Sequence, residues 1–381
     1  MSLAKITLKT DNSSRNEIPV NNTENEIETS DVKTKLAENR LLNLFTVINF
    51  DNDACYVDNA YGSFNGTCYH PAECQHLGGK SIGKCRHPYG VCCIFQYSCG
   101  DVASNALSYF INPKYPKPSN EKYTCSFVLE KTDSDIVQVR VDFDILEISP
   151  PVNGTCSDDQ LIISGQNVND IIPIICGINN GQHIYLDVMD SSSPLMFTVI
   201  SNSEHETQFR IKLTQLSRKR WCPALNCLQY FTDVNGTFET FNYKESGTVI
   251  YRNMPGYLNN LNYAVCIKKA PGYCTITYTN IDENGFEYPF QLVNLDEDGG
   301  VIFPPGQAGA EIFNCPDDFV IVNGIRLCGD RFNDGSITSD FRINAPVTDY
   351  TAGPFVFPVR TNQQTNGRGF KLFYRQNKCT N

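Results

Sequence analysis

The sequence predicts an all-β protein: two tandem β-sandwiches behind a small disulfide-rich knot. Two observations carry that expectation. The first is a repeated phrase, C-S-D-D-Q-L-I-I-S-G at 156–165 and C-P-D-D-F-V-I-V-N-G at 315–324. Each copy precedes a Cys-Gly pair, Cys176-Gly177 and Cys328-Gly329, and then a strand-like tail, F-R-I-K-L-T-Q at 209–215 and F-K-L-F-Y-R-Q at 370–376. Three landmarks in one order, about 160 residues apart, are the mark of a tandem duplication. The second is periodicity. Val137, Val139, Val141 and Phe143 alternate with Gln138, Arg140 and Asp142, the period of a half-buried strand.

Taken in chain order, residues 1–40 are rich in Asn, Glu, Ser and Thr and read as a disordered acidic and polar tail. Residues 41–98 hold six cysteines, Cys55, Cys68, Cys74, Cys85, Cys92 and Cys93, in a stretch too short to bury a core without covalent staples. Six cysteines allow fifteen pairings, so spacing alone leaves the connectivity open. Residues 99–217 and 227–379 are the two sandwich repeats, with short β-like runs such as 275–278 and 318–322 between turn signals. The segment 218–226 joins them and carries Arg218-Lys219-Arg220. It reads as an exposed basic linker, with proprotein cleavage as the alternative.

The chain has 381 residues and a formal net charge of −11, from 31 basic and 42 acidic side chains. That balance argues against nucleic acid or an anionic membrane surface as partner. Seventeen cysteines indicate an oxidising compartment. Five N-x-[ST] sequons agree, at Asn12, Asn21, Asn65, Asn153 and Asn235, the last three being N-G-T. Met1 to Thr10 has no apolar core of a signal peptide, and no run approaches the length of a membrane span. The cysteines outweigh the missing signal, and the expected location is extracellular.

Cys99, N-P-K-Y-P at 112–116, Y-T-C-S-F-V at 123–128, Leu146-Glu147, C-S-D-D at 156–159 and Cys176-Gly177 together resemble a CUB domain. A more divergent copy runs from Cys227 to about Tyr374. The 55–93 block is similar to arthropod clip-type knots. The order as a whole resembles an arthropod group of secreted proteins with two CUB domains, through L-F-T-V-I-N-F at 44–50, G-T-F-E-T-F-N-Y at 236–243 and Y-A-V-C-I at 263–267. The resemblance implies antiparallel jelly-roll-like sandwiches. It also implies the pairs Cys55–Cys92, Cys68–Cys85, Cys74–Cys93, Cys99–Cys125, Cys156–Cys176, Cys227–Cys266 and Cys315–Cys328. Cys222, Cys274 and Cys379 are then left over, an odd set that leaves at least one unpaired or paired between molecules.

Calcium is the cofactor that the resemblance implies. Glu147 and Asp159 match the carboxylates of calcium-binding CUB domains, and the later loop position holds Asn202 or its neighbour Glu204. In the second copy Asp318 matches, beside the acidic run 294–300. The plainer alternative is that Asp159 and Asp318 cap strand ends or turns. A zinc site at Cys68, His70, Cys74 and His76 fits no finger or ribbon spacing, and disulfides explain those cysteines better. No G-D-S-G-G-type nucleophile loop, H-E-x-x-H motif or phosphate loop is present, so no enzyme is expected. The expected function is a non-catalytic extracellular binding protein whose CUB loops recognise a protein or glycan, with calcium as an aid. The alternative is a non-catalytic regulator in a secreted protease cascade.

Overall fold

The computed structural model describes residues 4–9, 45–50, 52–60, 62–85, 89–189, 191, 193–218, 226–253, 255–282 and 285–379. They fall into two compact units, Met1–Phe95 and Gln96–Asn381.

In the first unit, β1 (Ala4–Lys9) pairs antiparallel with β2 (Phe45–Phe50). The K-I-T-L-K run at 5–9 alternates apolar with polar residues, which is why a strand forms inside the leader expected to lack one. The rest of that expected tail, with Asn12 and Asn21, lies outside the described residues. The knot is a four-stranded sheet in the order β3-β4-β6-β5, from β3 (Ala54–Asn59), β4 (Gly62–Tyr69), β5 (Lys80–Lys84) and β6 (Val91–Ile94). Disulfides Cys55–Cys92, Cys68–Cys85 and Cys74–Cys93 hold it. His70 caps the short helix Pro71–His76, its Nδ1 accepting from Ala72 N at 3.3 Å. With Cys68 and Cys74 bridged, no thiolate is left at that spot for a metal.

The second unit holds both sandwiches. The first has β7 (Gln96–Tyr97), β8 (Val102–Ala103), β9 (Leu107–Ile111), β10 (Tyr123–Leu129), β11 (Ile136–Glu147), β12 (Asp159–Ser164), β13 (His183–Asp187), β14 (Leu195–Ser201) and β15 (Gln208–Ser217). They form a five-stranded sheet, β13-β11-β15-β9-β7, facing a four-stranded one, β12-β14-β10-β8. Val139, Val141 and Phe143 of β11 point into the core as the alternation requires. Phe110 stacks on Phe127 at 5.2 Å between the sheets.

The second sandwich has β16 (Gln229–Phe231), β17 (Asn235–Glu239), β18 (Asn262–Ile267), β19 (Tyr273–Asn280), β20 (Ala308–Ala310), β21 (Phe319–Val322), β22 (Ile325–Gly329), β23 (Val347–Asp349), β24 (Phe355–Arg360) and β25 (Lys371–Lys378). Its sheets run β17-β25-β19-β23 and β16-β18-β24-β21-β22-β20. The duplication is visible strand by strand. β23-β19-β25-β17 reproduces β13-β11-β15-β9, and β21-β24-β18-β16 reproduces β12-β14-β10-β8, including one parallel pair in each copy. The second copy adds β22 and β20 at one edge. Pairing is otherwise antiparallel, save β7 with β9.

Disulfides Cys99–Cys125 and Cys156–Cys176 hold the first sandwich, Cys227–Cys266, Cys315–Cys328 and Cys274–Cys379 the second. The last ties β19 to the chain end across 105 residues, a loop length at which a bridge contributes about 4–5 kcal/mol in the chain-entropy view. Cys222 and most of the 218–226 linker lie outside the described residues. One hydrophobic cluster takes in both sandwiches, from Phe143 and Phe209 to Phe238, Phe357 and Phe370.

Candidate interdomain binding site

The two sandwiches meet edge to edge. Tyr185 N, on β13, donates to Leu228 O at 2.8 Å, just before β16. His183 Nε2 lies 2.9 Å from Tyr230 O and 3.2 Å from Tyr230 N. The rings of Tyr185 and Phe231 stand edge-on to the imidazole. Burial first, and then the Arg140 guanidinium, push His183 down to about 4. The imidazole at this seam is therefore neutral at ordinary pH.

Next to that edge, Asn242 N donates to Asn179 Oδ1 at 2.9 Å, and Ile178 N donates to Asn242 Oδ1 at 3.3 Å. Gly177 makes the approach feasible. Its φ is +81°, and a Cβ there would lie 2.0 Å from Asn242 Oδ1. The glycine of the repeated Cys-Gly pair is thus a contact point between the sandwiches.

Glu147 ends β11 and is wholly buried. Its Oε1 accepts from Thr248 N and Thr248 Oγ1, both at 2.6 Å, and from Asn180 Nδ2 at 2.5 Å. Its Oε2 accepts from Val249 N at 2.7 Å and Ile250 N at 3.1 Å. The receiving loop is folded by a bond from Gly247 N to Ile250 O, which turns three successive N–H groups inward as an anion nest. Burial raises the Glu147 pKa, but the bonds from Thr248, Val249 and Asn180 outweigh it and hold the carboxyl below its ordinary value. A carboxylate of one sandwich is thus seated in a backbone nest of the other.

Asp159 is also buried but works within its own sandwich. Ser149 N and Ser203 Oγ donate to Oδ2 at 2.8 and 2.9 Å, and Asn202 N and Ser203 N donate to Oδ1 at 2.9 and 3.0 Å. It ties the chain after β11 to the loop after β14. Asp318 also works within its own sandwich, accepting from Asn362 N after β24 and from Tyr257 Oη before β18, both at 2.6 Å. Burial pushes Asp318 up to about 6. The acidic run 294–300 folds on itself, with Asp296 Oδ1 accepting from Asp298 N and Gly300 N.

This geometry bears on calcium. The ion needs six to eight oxygen ligands turned toward it. Glu147 and Asp159 are instead turned toward N–H and O–H donors, and Glu147 is enclosed by the second sandwich. Among the described residues no three carboxylate, imidazole or thiol side chains converge on a point. The residues present do not fit a cation cage. The sequon asparagines Asn65, Asn153 and Asn235 are all exposed. The loop at 247–250 and the edge at 179–183 carried no motif. Asn242 lies in the G-T-F-E-T-F-N-Y stretch, and Glu147 and Gly177 stand out in the sequence, but none of these signals pointed to a contact between the sandwiches.

The model of the animal CUB domain matches residues 224–377, and that of the CUB domain matches residues 99–213. The chain carries two CUB domains. Pig cubilin is 25% identical over 177 residues, which are 46% of this chain and 4% of cubilin. The matched stretch covers only that small share of cubilin's length. Solved structures with detectable likeness include the CUB1-EGF-CUB2 domains of rat MASP-1 (13% identity, 74% of this chain, 99% of that one, TM-score 0.25). The MASP-1 CUB2 domain bound to Ca2+ is another (20%, 30% of this chain, 98% of that one, TM-score 0.24). The full extracellular region of zebrafish Gpr126/Adgrg6 is a third (13%, 75% of this chain, 34% of that one, TM-score 0.26). No described helix is long and apolar enough to cross a membrane.

Proposed function

We propose that the chain is a non-catalytic, secreted binding protein whose two CUB domains act as one body and present a composite surface to an extracellular protein or glycan. The observation that carries this reading is the seating of Glu147 of the first domain in the Thr248–Ile250 nest of the second. A buried charge that takes hydrogen bonds from five donors is costly to expose, so it holds the domains in one relation. Calcium assistance, which the family resemblance implies, has no support in the donors around Glu147 and Asp159. Glycans on Asn65, Asn153 and Asn235 would all project into solvent.

The test is secretion and capture. Passed through a secretory host behind an added signal, the folded chain should carry eight disulfides and glycans, and when immobilised should retain a defined ligand from extracellular fluid. Glu147→Ala should weaken that retention. Equal retention by the variant, or labelling of the pure chain by a serine-hydrolase probe, would count against it.

The bridged knot favours one second reading, a non-catalytic regulator of a secreted protease cascade. It would change the activation rate of a protease zymogen in extracellular fluid, and no change on addition or depletion of the chain would end it.

A further inference from the structure

Two cavities lie where the CUB domains meet, and one stretch of the first domain walls both. The first, about 280 Å³, lies between Asn169, Asp170 and Ile171 of the first domain and Tyr263, Ala264 and Pro358 of the second. The second, about 250 Å³, lies between Pro173 and Ile174 of the first domain and Leu258 and Asn260 of the second. Asn259 N donates to Gly154 O at 2.8 Å and holds the walls of the second cavity together. At about 30 Å³ per liquid water, each cavity has room for about eight or nine waters, enough for one large side chain.

The stretch that joins the cavities is a sheet edge with open backbone groups. β12 ends the four-stranded sheet, and Leu161 within it exchanges two hydrogen bonds with Ile175, at 2.8 and 3.1 Å. Pro173 restricts Ile172 before it to extended backbone. Backbone groups alternate sides along an extended chain, so those of Ile172 and Ile174 face away from β12. The N–H that Pro173 lacks falls on the β12 side, where it costs an added chain nothing. Among the described residues, nothing bonds to the N–H or C=O of Ile172 or to the N–H of Ile174. An edge of this kind is a template for another strand. Ile172 packs its side chain against the core, whereas Ile171 and Ile174 on either side are 69% and 46% exposed.

Charge selects what the edge takes. Asp170 is the one charged side chain on the walls of either cavity. Its Oδ2 accepts from Asp187 N at 2.7 Å, no cation among the described residues pairs with it, and the charge that acts on it is the like charge of Asp187. The first cavity therefore favours a cation. The second, with Pro173, Ile174 and Leu258 on its walls, favours an apolar group.

We propose that the seam is a peptide site: an extended segment of a partner protein pairs with Ile172 and Ile174, sets a lysine or arginine beside Asp170 and buries an apolar side chain in the second cavity. Main-chain bonds would supply affinity and the two cavities specificity. The inference rests on the reading of the chain as an extracellular binding protein and names the class of its partner. Each cavity takes walls from both domains, so the site exists only while they are docked.

Selection of a phage-displayed random heptapeptide library on the immobilised intact chain tests it. The cavities are separated by about 10 Å, three residues of extended chain. Enriched peptides should share a Lys or Arg and a large apolar residue about that far apart, with no proline between them. The most enriched peptide, synthesised and titrated by calorimetry, should bind about tenfold more weakly when its cation is replaced by Gln, and again when its edge-facing amides are N-methylated. Asp170→Asn should weaken the parent peptide about tenfold and leave the Gln peptide unchanged, a coupling that a merely structural role would not produce. Glu147→Ala should weaken it too, although Glu147 lines neither cavity. The proposal falls if no peptide is enriched, if the enriched peptides share no cation, if the N-methylated peptide binds equally well, or if Asp170→Asn binds as the parent chain does. The selection and the N-methyl comparison, both on the unaltered chain, decide the matter even where a variant fails to fold. Retention of an extracellular protein or glycan with no peptide enriched would sink the peptide site and leave the broader reading standing.

Discussion

Gly247 of the second CUB domain and Glu147 of the first fill one space: a Cβ on Gly247 would lie 2.3 Å from the Glu147 carboxyl carbon. The glycine is there because the carboxylate needs the room. Gly247→Ala should wedge the loop off Glu147 without deleting a hydrogen-bonding group. Glu147→Ala should leave the N–H groups of Thr248, Val249 and Ile250 without their acceptor, at a cost of about 3 kcal/mol or more. Both variants should lower the denaturation midpoint and speed proteolysis in the 218–226 linker. Parent-like behaviour of both would show that the pair does not hold the domains.

Because the two expected calcium ligands face donors, the ion should have little to bind. The thermal unfolding midpoint of the intact chain should be the same in millimolar calcium and in chelator. A rise of several degrees in calcium that Asp159→Ala abolishes would mean the loops rearrange into a cage, contrary to their geometry here.

The seam should weaken in acid through His183. Free imidazole titrates near 6.5, and docking lowers this to about 4, so the docked form takes up a proton less readily. Stability from this group is whole above pH 6.5 and is lost as pH falls toward 4. At about pH 5 the loss is roughly 2 kcal/mol. Arg140 and Asp142 on β11, Tyr185 on its own strand and Tyr230 across the seam are the charged and titratable groups that face it. Denaturant unfolding at pH 7 and pH 5 should show an acid-sensitive component that His183→Gln removes. An unchanged pH dependence in the variant would refute the assignment.

Asp318 carries the opposite sign. Its carboxyl is raised from 3.8 to about 6, so its contribution is full below 3.8 and is lost as pH rises through 6. Above that, the buried charge costs roughly 3 kcal/mol relative to a normal carboxylate. Asp318→Asn should therefore stabilise the chain at pH 7, by about 1–3 kcal/mol, and do so less at pH 5. A variant less stable than the parent at pH 7 would mean that the bonds from Tyr257 and Asn362 need the charge.

How much was legible follows from how local each signal is. β11 announced itself because apolar and polar residues alternate over 137–143, an alternation that burial follows over 139–144, and the two sandwiches because Cys, Asp-Asp and Cys-Gly recur in fixed order. β1 went unread because its alternation is a few residues long inside a polar leader. Glu147 and Asp159 stood out as carboxylates near strand ends beside a cysteine, but that pattern serves a metal, a loop cap or a docking key equally well. What separates those roles is the partner. For Glu147 the partner is Thr248, 101 residues further along, in a loop with no motif of its own. The contact of Asn242 with the 179–183 edge was invisible for the same reason, since only the folded chain brings them together.

The seating of Glu147 in its nest is tested most directly by hydrogen–deuterium exchange of the intact chain, read on a peptide spanning 246–251. If the carboxylate holds the N–H groups of Thr248, Val249 and Ile250, these loop amides should exchange as slowly as strand amides such as those of β11. Glu147→Ala should release them while β11 stays protected. Rapid exchange in the unaltered chain, at the rate of an open loop, would contradict the joining of the two CUB domains through this contact.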